Sequence, residues 1–205
     1  ESVGGALLDK RLEILEASSI SREIRLDFLR RSVWTNDESI GLEMNLSSNN
    51  LTSSRLLNML HGSESDKVQF TKLNLSSNQL ESWPLVGLSP LKLNTIDLSS
   101  NRLKYLFPDK SIESKNYYFP KLENLNLSSN ALASVTEYTV DARGQVEHIS
   151  YQLANLMPKL KQIDLSNNRL SWLPANMFDR LEFLKAVKLQ NNFLESISLS
   201  DKLIT

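Results

Sequence analysis

One short pattern recurs six times along the chain, and it limits the folds that the chain can adopt. Its frame is LxxLxLxxNxL, as in TKLNLSSNQL at 71–80 and ENLNLSSNAL at 123–132. The pattern asparagines are Asn49, Asn78, Asn101, Asn130, Asn168 and Asn192, spaced 23 to 38 residues apart. A repeat of this length predicts a stack of similar structural units rather than one irregular core.

The residues before each pattern asparagine alternate between apolar and polar, which is the period of a short strand with one buried face. The apolar pairs that we expect to point inward are Met44/Leu46, Leu73/Leu75, Ile96/Leu98, Leu125/Leu127, Ile163/Leu165 and Val187/Leu189. One such strand cannot bury two large side chains alone. The units must therefore stack with their strands side by side and parallel, and with the return segments on the other side.

The six asparagines have a structural role in this scheme. Each stands where the chain turns inward at the end of a strand, so that backbone N–H and C=O groups lose their sheet partners. A buried amide side chain offers two donors and two acceptor lone pairs to such groups. We therefore interpret these residues as a ladder that supports the turns, and not as catalytic groups.

The repeats resemble those of the leucine-rich repeat family, over residues 41–205 and in about six units. The resemblance implies an α/β solenoid with a curved parallel sheet on the concave face and helices or loops on the convex face. It also implies that a protein partner binds to the concave face. We expect the repeats to continue beyond this fragment. The irregular unit lengths are also similar to the repeat region of Roco-type leucine-rich-repeat kinases.

Residues 1–40 break the pattern and have apolar side chains at helical spacing, such as Leu8, Leu12 and Leu15. They predict a helical N-terminal cap, or the tail of a preceding domain, because the end of a solenoid exposes a sheet edge that must be covered. Two further helices are predicted on the convex side, after Asn49 and over 145–157.

Composition excludes several function classes. The formal net charge is -1, which gives no electrostatic reason to bind nucleic acid. There are no cysteines and two distant histidines, His61 and His148, and no glycine-rich phosphate loop is present. No apolar run is long enough to insert into a membrane. Asp97 and Asp164 share a strand position two units apart, but no apolar neighbour would raise their pKa. We predict no enzymatic activity, no metal and no cofactor.

The outward strand positions form two columns of mostly small, hydrogen-bonding side chains, which predict a partner-binding concave face. Its residues are Glu43, Asn45, Lys72, Asn74, Thr95, Asp97, Asn124, Asn126, Gln162, Asp164 and Lys188. A third column contains mainly serine. A competing contact is predicted on a convex loop, where Tyr117 and Tyr118 precede Phe119 and one of the three aromatics must anchor the next strand.

The leading hypothesis is a non-enzymatic protein-interaction module. The first alternative is an autoregulatory repeat segment of a large Roco-type signalling enzyme, and the second is a fragment of an extracellular receptor. Four N-x-S/T sequons occur at Asn45, Asn50, Asn74 and Asn126, but the repeat itself generates three of them. The helical cap without cysteines favours the cytoplasm, with an extracellular location as the alternative.

Overall fold

The computed structural model describes residues 14–16, 42–53, 70–83, 93–106, 118–134, 139–140, 146–147, 153–174 and 177–196. Its strands are β1 (Ile14–Glu16), β2 (Leu42–Asn45), β3 (Phe70–Asn74), β4 (Thr95–Asp97), β5 (Asn124–Asn126), β6 (Thr139–Val140), β7 (Val146–Glu147), β8 (Gln162–Asp164) and β9 (Ala186–Lys188). One short helix, α1, spans Leu153–Leu156.

Seven of these strands form a single parallel sheet in the order β1-β2-β3-β4-β5-β8-β9. Each strand of this sheet pairs with the next strand that belongs to it, including β5 with β8, so the stack grows in sequence order. The remaining two strands, β6 and β7, pair antiparallel with each other between the fourth and fifth pattern asparagines. This arrangement is that of a repeat solenoid, in which units contact their neighbours.

The core follows the inward side of the sheet and continues past each pattern asparagine. Leu75, Ile96 and Leu98 are fully buried, and Trp83 is 3% exposed, so it is also part of the core. The final strand is less well covered, since Val187 and Leu189 are only partly buried against the cluster.

The pattern asparagines connect neighbouring units through their side chains. Asn78 accepts hydrogen bonds at Oδ1 from the backbone N–H groups of Asn49 and Leu51, at 3.0 and 2.9 Å. Its Nδ2 donates to the carbonyls of Leu46 and Leu75, at 2.9 and 3.0 Å. The amides of Asn101, Asn130, Asn168 and Asn192 make equivalent bonds across to the preceding unit. One side chain per unit therefore replaces the sheet partners that the turn removes.

The residue before each pattern asparagine adopts a left-handed backbone conformation. The φ angles are 54–63° across the set of non-glycine residues with positive φ, which includes Ser48, Ser77, Ser100, Ser129, Asn167 and Asn191. Serine pays a steric cost in this region that asparagine tolerates better. The tight turn after each strand thus stores a small amount of backbone strain in every unit.

The N-terminal helix prediction is wrong at Ile14–Glu16, which forms the strand β1. This strand pairs parallel with β2, with Ile14 beside Glu43 and Glu16 beside Asn45. The offset of 29 residues equals that between Asn49 and Asn78, so β1 continues the repeat. The rest of the predicted cap lies outside the described residues, as does the helix predicted after Ser53.

The helix predicted over 145–157 is also wrong in its first part. Val146 pairs with Val140, and Glu147 with Thr139, in the antiparallel β6–β7 pair. Among the described residues of 145–157, those in α1 are helical, and its Leu153 and Leu156 are buried. Both valines are β-branched, and such residues favour strands over helices.

Candidate binding surfaces

The structure aligns the two predicted columns residue by residue across the sheet. The first column runs Glu43, Lys72, Thr95, Asn124, Gln162, Ala186. The second runs Asn45, Asn74, Asp97, Asn126, Asp164, Lys188. The backbone of Glu43 belongs to β2, but its side chain lies outside the described part of the chain. Among the rest, Lys72, Gln162 and Lys188 are exposed.

The second column has a structural role that the sequence analysis did not assign to it. Asn74 Oδ1 accepts a hydrogen bond from the backbone N–H of Ser76, two residues on, at 2.9 Å. Asp97 does the same with the N–H of Ser99 at 2.8 Å. The equivalent bond occurs at Asn45, Asn126 and Asp164. Such a bond is the Asx turn of asparagine and aspartate, and here it closes the end of each strand.

Two pairs of residues in this column also bind to each other across the sheet. Asn126 donates from Nδ2 to Asp97 Oδ2 at 3.2 Å. Lys188 lies 3.0 Å from Asp164 Oδ2, with its own side chain 57% exposed and that of Asp164 18% exposed. Both carboxylates therefore have one oxygen in an Asx turn and the other in a lateral contact.

Asp164 is the described group with a resolved change of pKa. Its partial burial acts to raise the pKa, but hydrogen bonds from the Ser166 hydroxyl and backbone and the nearby Lys188 ammonium outweigh burial. The pKa of Asp164 is therefore held below its ordinary value. This carboxylate stays ionised near neutral pH, which is unsuited to a general acid.

The serines of the third column are less exposed to solvent than their outward positions in the repeat suggest. Ser166 is buried, and its hydroxyl donates to Asp164 Oδ1 at 2.6 Å. Ser128 makes the same contact with Asn126 at 2.8 Å. These hydroxyls support the strand ends in addition to lining the face.

The aromatic residues of the predicted convex loop separate as expected where the structure describes them. Phe119 is fully buried and anchors the next strand, while Tyr118 is 45% exposed. Tyr117 lies outside the described residues. Three further aromatic side chains that the sequence pattern did not single out are also exposed, namely Tyr105, Phe183 and Phe193. Alignment of the repeats could have indicated that Phe193 is exposed, because polar residues occupy its position in most other units.

Within the described residues, no group of three or more His, Cys, Asp or Glu side chains is placed to hold a metal ion. In that same part of the chain, no helix has both the length and the apolar composition needed to cross a membrane.

Comparison with known proteins agrees with the architecture. Residues 159–181 match the family model described as Leucine Rich Repeat. Leucine-rich repeat serine/threonine-protein kinase 1 of Mus musculus is 31% identical over 133 residues, which are 63% of this chain and 6% of that protein. Leucine-rich repeats and immunoglobulin-like domains protein 2 of Mus musculus is 31% identical over 152 residues, which are 74% of this chain and 12% of that protein.

A third relative, Oligodendrocyte-myelin glycoprotein of Homo sapiens, is 29% identical over 174 residues, covering 74% of this chain and 38% of the relative. The chain therefore spans only a small part of the first two relatives and well under half of the third. The repeat frame, the stacked parallel strands and these similarities agree with one another. The chain is a leucine-rich repeat protein.

Proposed function

We propose that the chain is a non-enzymatic protein-binding module that contacts a protein partner through the outward face of the sheet and the adjoining loops. The observation that carries the proposal is the register of the two columns. Six neighbouring strands, β2 to β5, β8 and β9, present these columns at a spacing of about 4.8 Å. Such an array offers a regular set of polar contacts to a folded partner.

The chemistry of this face favours a polar partner surface of mixed charge. Lys72 and Lys188 are exposed, while Asp97 and Asp164 are half-buried. The charges of these four residues cancel, and the columns contain no aromatic side chain. We therefore expect shape and local hydrogen bonds to the charged carboxylates, rather than net electrostatic attraction, to determine specificity.

The test is to remove the two carboxylate charges without removing the Asx turns. Asp97→Asn with Asp164→Asn keeps an Oδ1 acceptor at each strand end, whereas lysine would eliminate it. With a partner isolated by pull-down and identified by mass spectrometry, we expect calorimetric affinity to fall at least tenfold, about 1.4 kcal/mol. Asp179→Asn with Glu182→Gln, before β9, is the matched control and should bind like the wild type.

A different outcome would favour the convex loop. If the Asp97/Asp164 variant binds normally, and replacing Tyr117 and Tyr118 by serine abolishes binding, then the outward face is not the contact. Exposed tyrosines carry more binding energy per residue than small polar groups, and for this reason the convex loop is the competing contact site.

A second candidate function is an autoregulatory segment of a larger signalling enzyme. It is favoured by the similarity to Leucine-rich repeat serine/threonine-protein kinase 1 of both mouse and Caenorhabditis elegans. The test is the sequence of the full-length protein. A GTPase or kinase region in the same polypeptide would support this function, and deletion of the repeats should then change the rate of that enzyme.

We place the module in the cytoplasm, with an extracellular receptor fragment as the alternative. That alternative is favoured by the similarity to the immunoglobulin-like-domain relative and to the myelin glycoprotein. Asn50 is the exposed sequon, while Asn126 Nδ2 is engaged with Asp97. Mass spectrometry of the native protein decides between them, because a glycan on Asn50 would contradict the cytoplasmic location.

A further inference from the structure

The residues that follow each pattern asparagine form another set of aligned positions, along the edge where the chain leaves the sheet. We call this the exit edge, and define it as the first four residues after each pattern asparagine. Backbone hydrogen bonds hold its central units in register. Arg102 donates to Leu80 O at 2.9 Å, Ala131 to Leu103 O at 3.0 Å, and Arg169 to Leu132 O at 2.9 Å.

Side chains on the exit edge alternate about a buried leucine at the second position. The first and third positions therefore face solvent together. Residues at the same position of adjacent units also contact each other. In the first position, Gln79 Nε2 donates a hydrogen bond to Asn50 Oδ1 at 3.3 Å. In the third position Lys104 Nζ lies 3.9 Å from Glu81 Oε2. Residues at the same position in successive units are thus direct lateral neighbours.

The fourth unit interrupts this row of long side chains with two alanines. Ala131 occupies the first position, between Arg102 and Arg169 of the adjacent units. Ala133 occupies the third position, and its N–H donates to Lys104 O at 3.2 Å. The exit edge consequently has a shallow depression over the fourth unit, with a long basic side chain on each side of Ala131.

Aromatic side chains border this depression at the fourth position. Tyr105 pairs through its backbone with Ser134, the residue that follows Ala133. Ser134 is buried, Tyr105 is 37% exposed, and Trp172, at the same position in the fifth unit, is half-buried. The fourth unit is thus low along the whole exit edge, while its neighbours carry cations and rings.

The charge of this surface differs from that of the whole chain. The chain has a formal net charge of -1, yet Arg102, Lys104 and Arg169 are all exposed beside one unit. Within the described residues neither arginine makes an ion pair, and the Lys104–Glu81 contact joins two side chains that are each 62% exposed. Such an exposed pair neutralises little of the charge.

We propose that the exit edge of the third to fifth units binds an extended acidic segment of a partner protein. The segment lies over Ala131 and Ala133, its carboxylates pair with Arg102 and Arg169, and Tyr105 packs against it. The arginines are two units apart, about 10 Å. In the polyproline II conformation, which is also extended, three residues span about 9 Å and complete one turn, so carboxylates at i and i+3 lie on the same side and reach both guanidinium groups.

A protein segment suits this surface better than nucleic acid. Three cations would neutralise few phosphates, and the rest of the chain is slightly acidic, which opposes a polyanion. The planar guanidinium instead matches a carboxylate with two parallel hydrogen bonds. Partly exposed aromatics beside arginine are a combination typical of binding hot spots.

The test uses fluorescence anisotropy with a fluorescein-labelled peptide of eight glutamates at low salt. Arg102→Gln with Arg169→Gln should weaken binding at least tenfold and leave the melting temperature unchanged, because Gln79 already occupies this position in the second unit. Arg102→Lys with Arg169→Lys keeps the charge and should still weaken binding at least threefold, since lysine cannot form the two parallel hydrogen bonds of a guanidinium group. Lys159→Gln with Lys185→Gln, on the side where the chain enters the sheet, is the matched control and should stay within twofold of wild type.

Three results would overturn the proposal. The first is an equal loss in the Lys159/Lys185 control, which would indicate general charge attraction. The second is wild-type binding by the arginine-to-lysine variant. The third is tighter, arginine-dependent binding of a single-stranded oligonucleotide or of phosphatidylserine vesicles. The Asp97/Asp164 variant should bind the peptide at least as well as wild type, so failure of the outward-face proposal and failure of this one can be distinguished.

Discussion

Replacing Asn101 by alanine tests the asparagine ladder most directly. Its Oδ1 accepts the N–H of Leu80 at 3.0 Å. Its Nδ2 donates to the carbonyls of Leu75, Leu98 and Ser99 at 3.0, 3.1 and 3.2 Å. Alanine removes all four bonds at once, in a position that is 8% exposed.

The neighbouring contacts show which of these losses matters. The Leu75 carbonyl also receives Asn78 Nδ2 at 3.0 Å, and the Leu98 carbonyl receives Asn130 Nδ2 at 2.9 Å. Both carbonyls therefore stay partnered. The Leu80 N–H loses its acceptor in the described structure, and one stranded buried donor costs about 1–3 kcal/mol. We expect the free energy of unfolding to fall by that amount.

Urea unfolding measures this cost, and amide hydrogen exchange locates it at the Leu80 N–H. Ser99→Ala is the control, because its half-exposed hydroxyl makes no hydrogen bond in the described structure and its loss should cost less than about 0.5 kcal/mol. Asn78→Ala removes an Oδ1 that accepts from two N–H groups, those of Asn49 and Leu51, and should cost more than Asn101→Ala. Equal destabilisation by Asn101→Ala and Ser99→Ala would refute the ladder.

Two further predictions concern the strand ends. The pKa of Asp164 is lowered in the folded state, so its ionised form adds stability above the unfolded pKa of about 3.9, and that stability is lost as pH falls through the folded pKa. Asp164→Asn should therefore have a lower melting temperature than the wild type at pH 7, and this difference should shrink below about pH 4. Ser100→Asn should stabilise the chain by about 0.5–1 kcal/mol, because Ser100 has a φ of 55° that asparagine tolerates better. Asn167 and Asn191 already occupy this position in other units, and a lower melting temperature for Ser100→Asn would contradict the account.

The repeat made the sheet predictable, and the exceptions have a physical cause. Strand positions such as Thr95–Asp97 followed from alternation plus a fixed asparagine, two signals that point to one structure. At Ile14–Glu16 the second signal is missing, since counting on from the β1 register places Ile20 where Asn49 stands in the next unit. The LxxL spacing that remains fits a helix as well as a repeat, so local pattern could not decide.

The binding residues were less predictable than the fold because alternation reports which side a residue faces, and not which bonds it makes. Asn74 and Asp97 face outward as predicted, yet each also caps its own strand through an Asx turn. That bond is local and could have been inferred from the asparagine or aspartate that ends each strand. Repeat alignment puts Arg102 and Arg169 at the same position, but their exposure on both sides of Ala131 depends on packing between units separated by 67 residues.

These two kinds of position differ in how freely they can vary. At the strand ends the backbone requires an acceptor, so the second column is restricted to asparagine and aspartate in five successive units. The first position of the exit edge contributes its backbone N–H to the stack and leaves its side chain unconstrained. It accordingly carries asparagine, glutamine, arginine, alanine and phenylalanine in different units. A solenoid can vary its side chains at such positions without losing stability, so the exit edge can carry contacts particular to this chain in addition to those of the outward face.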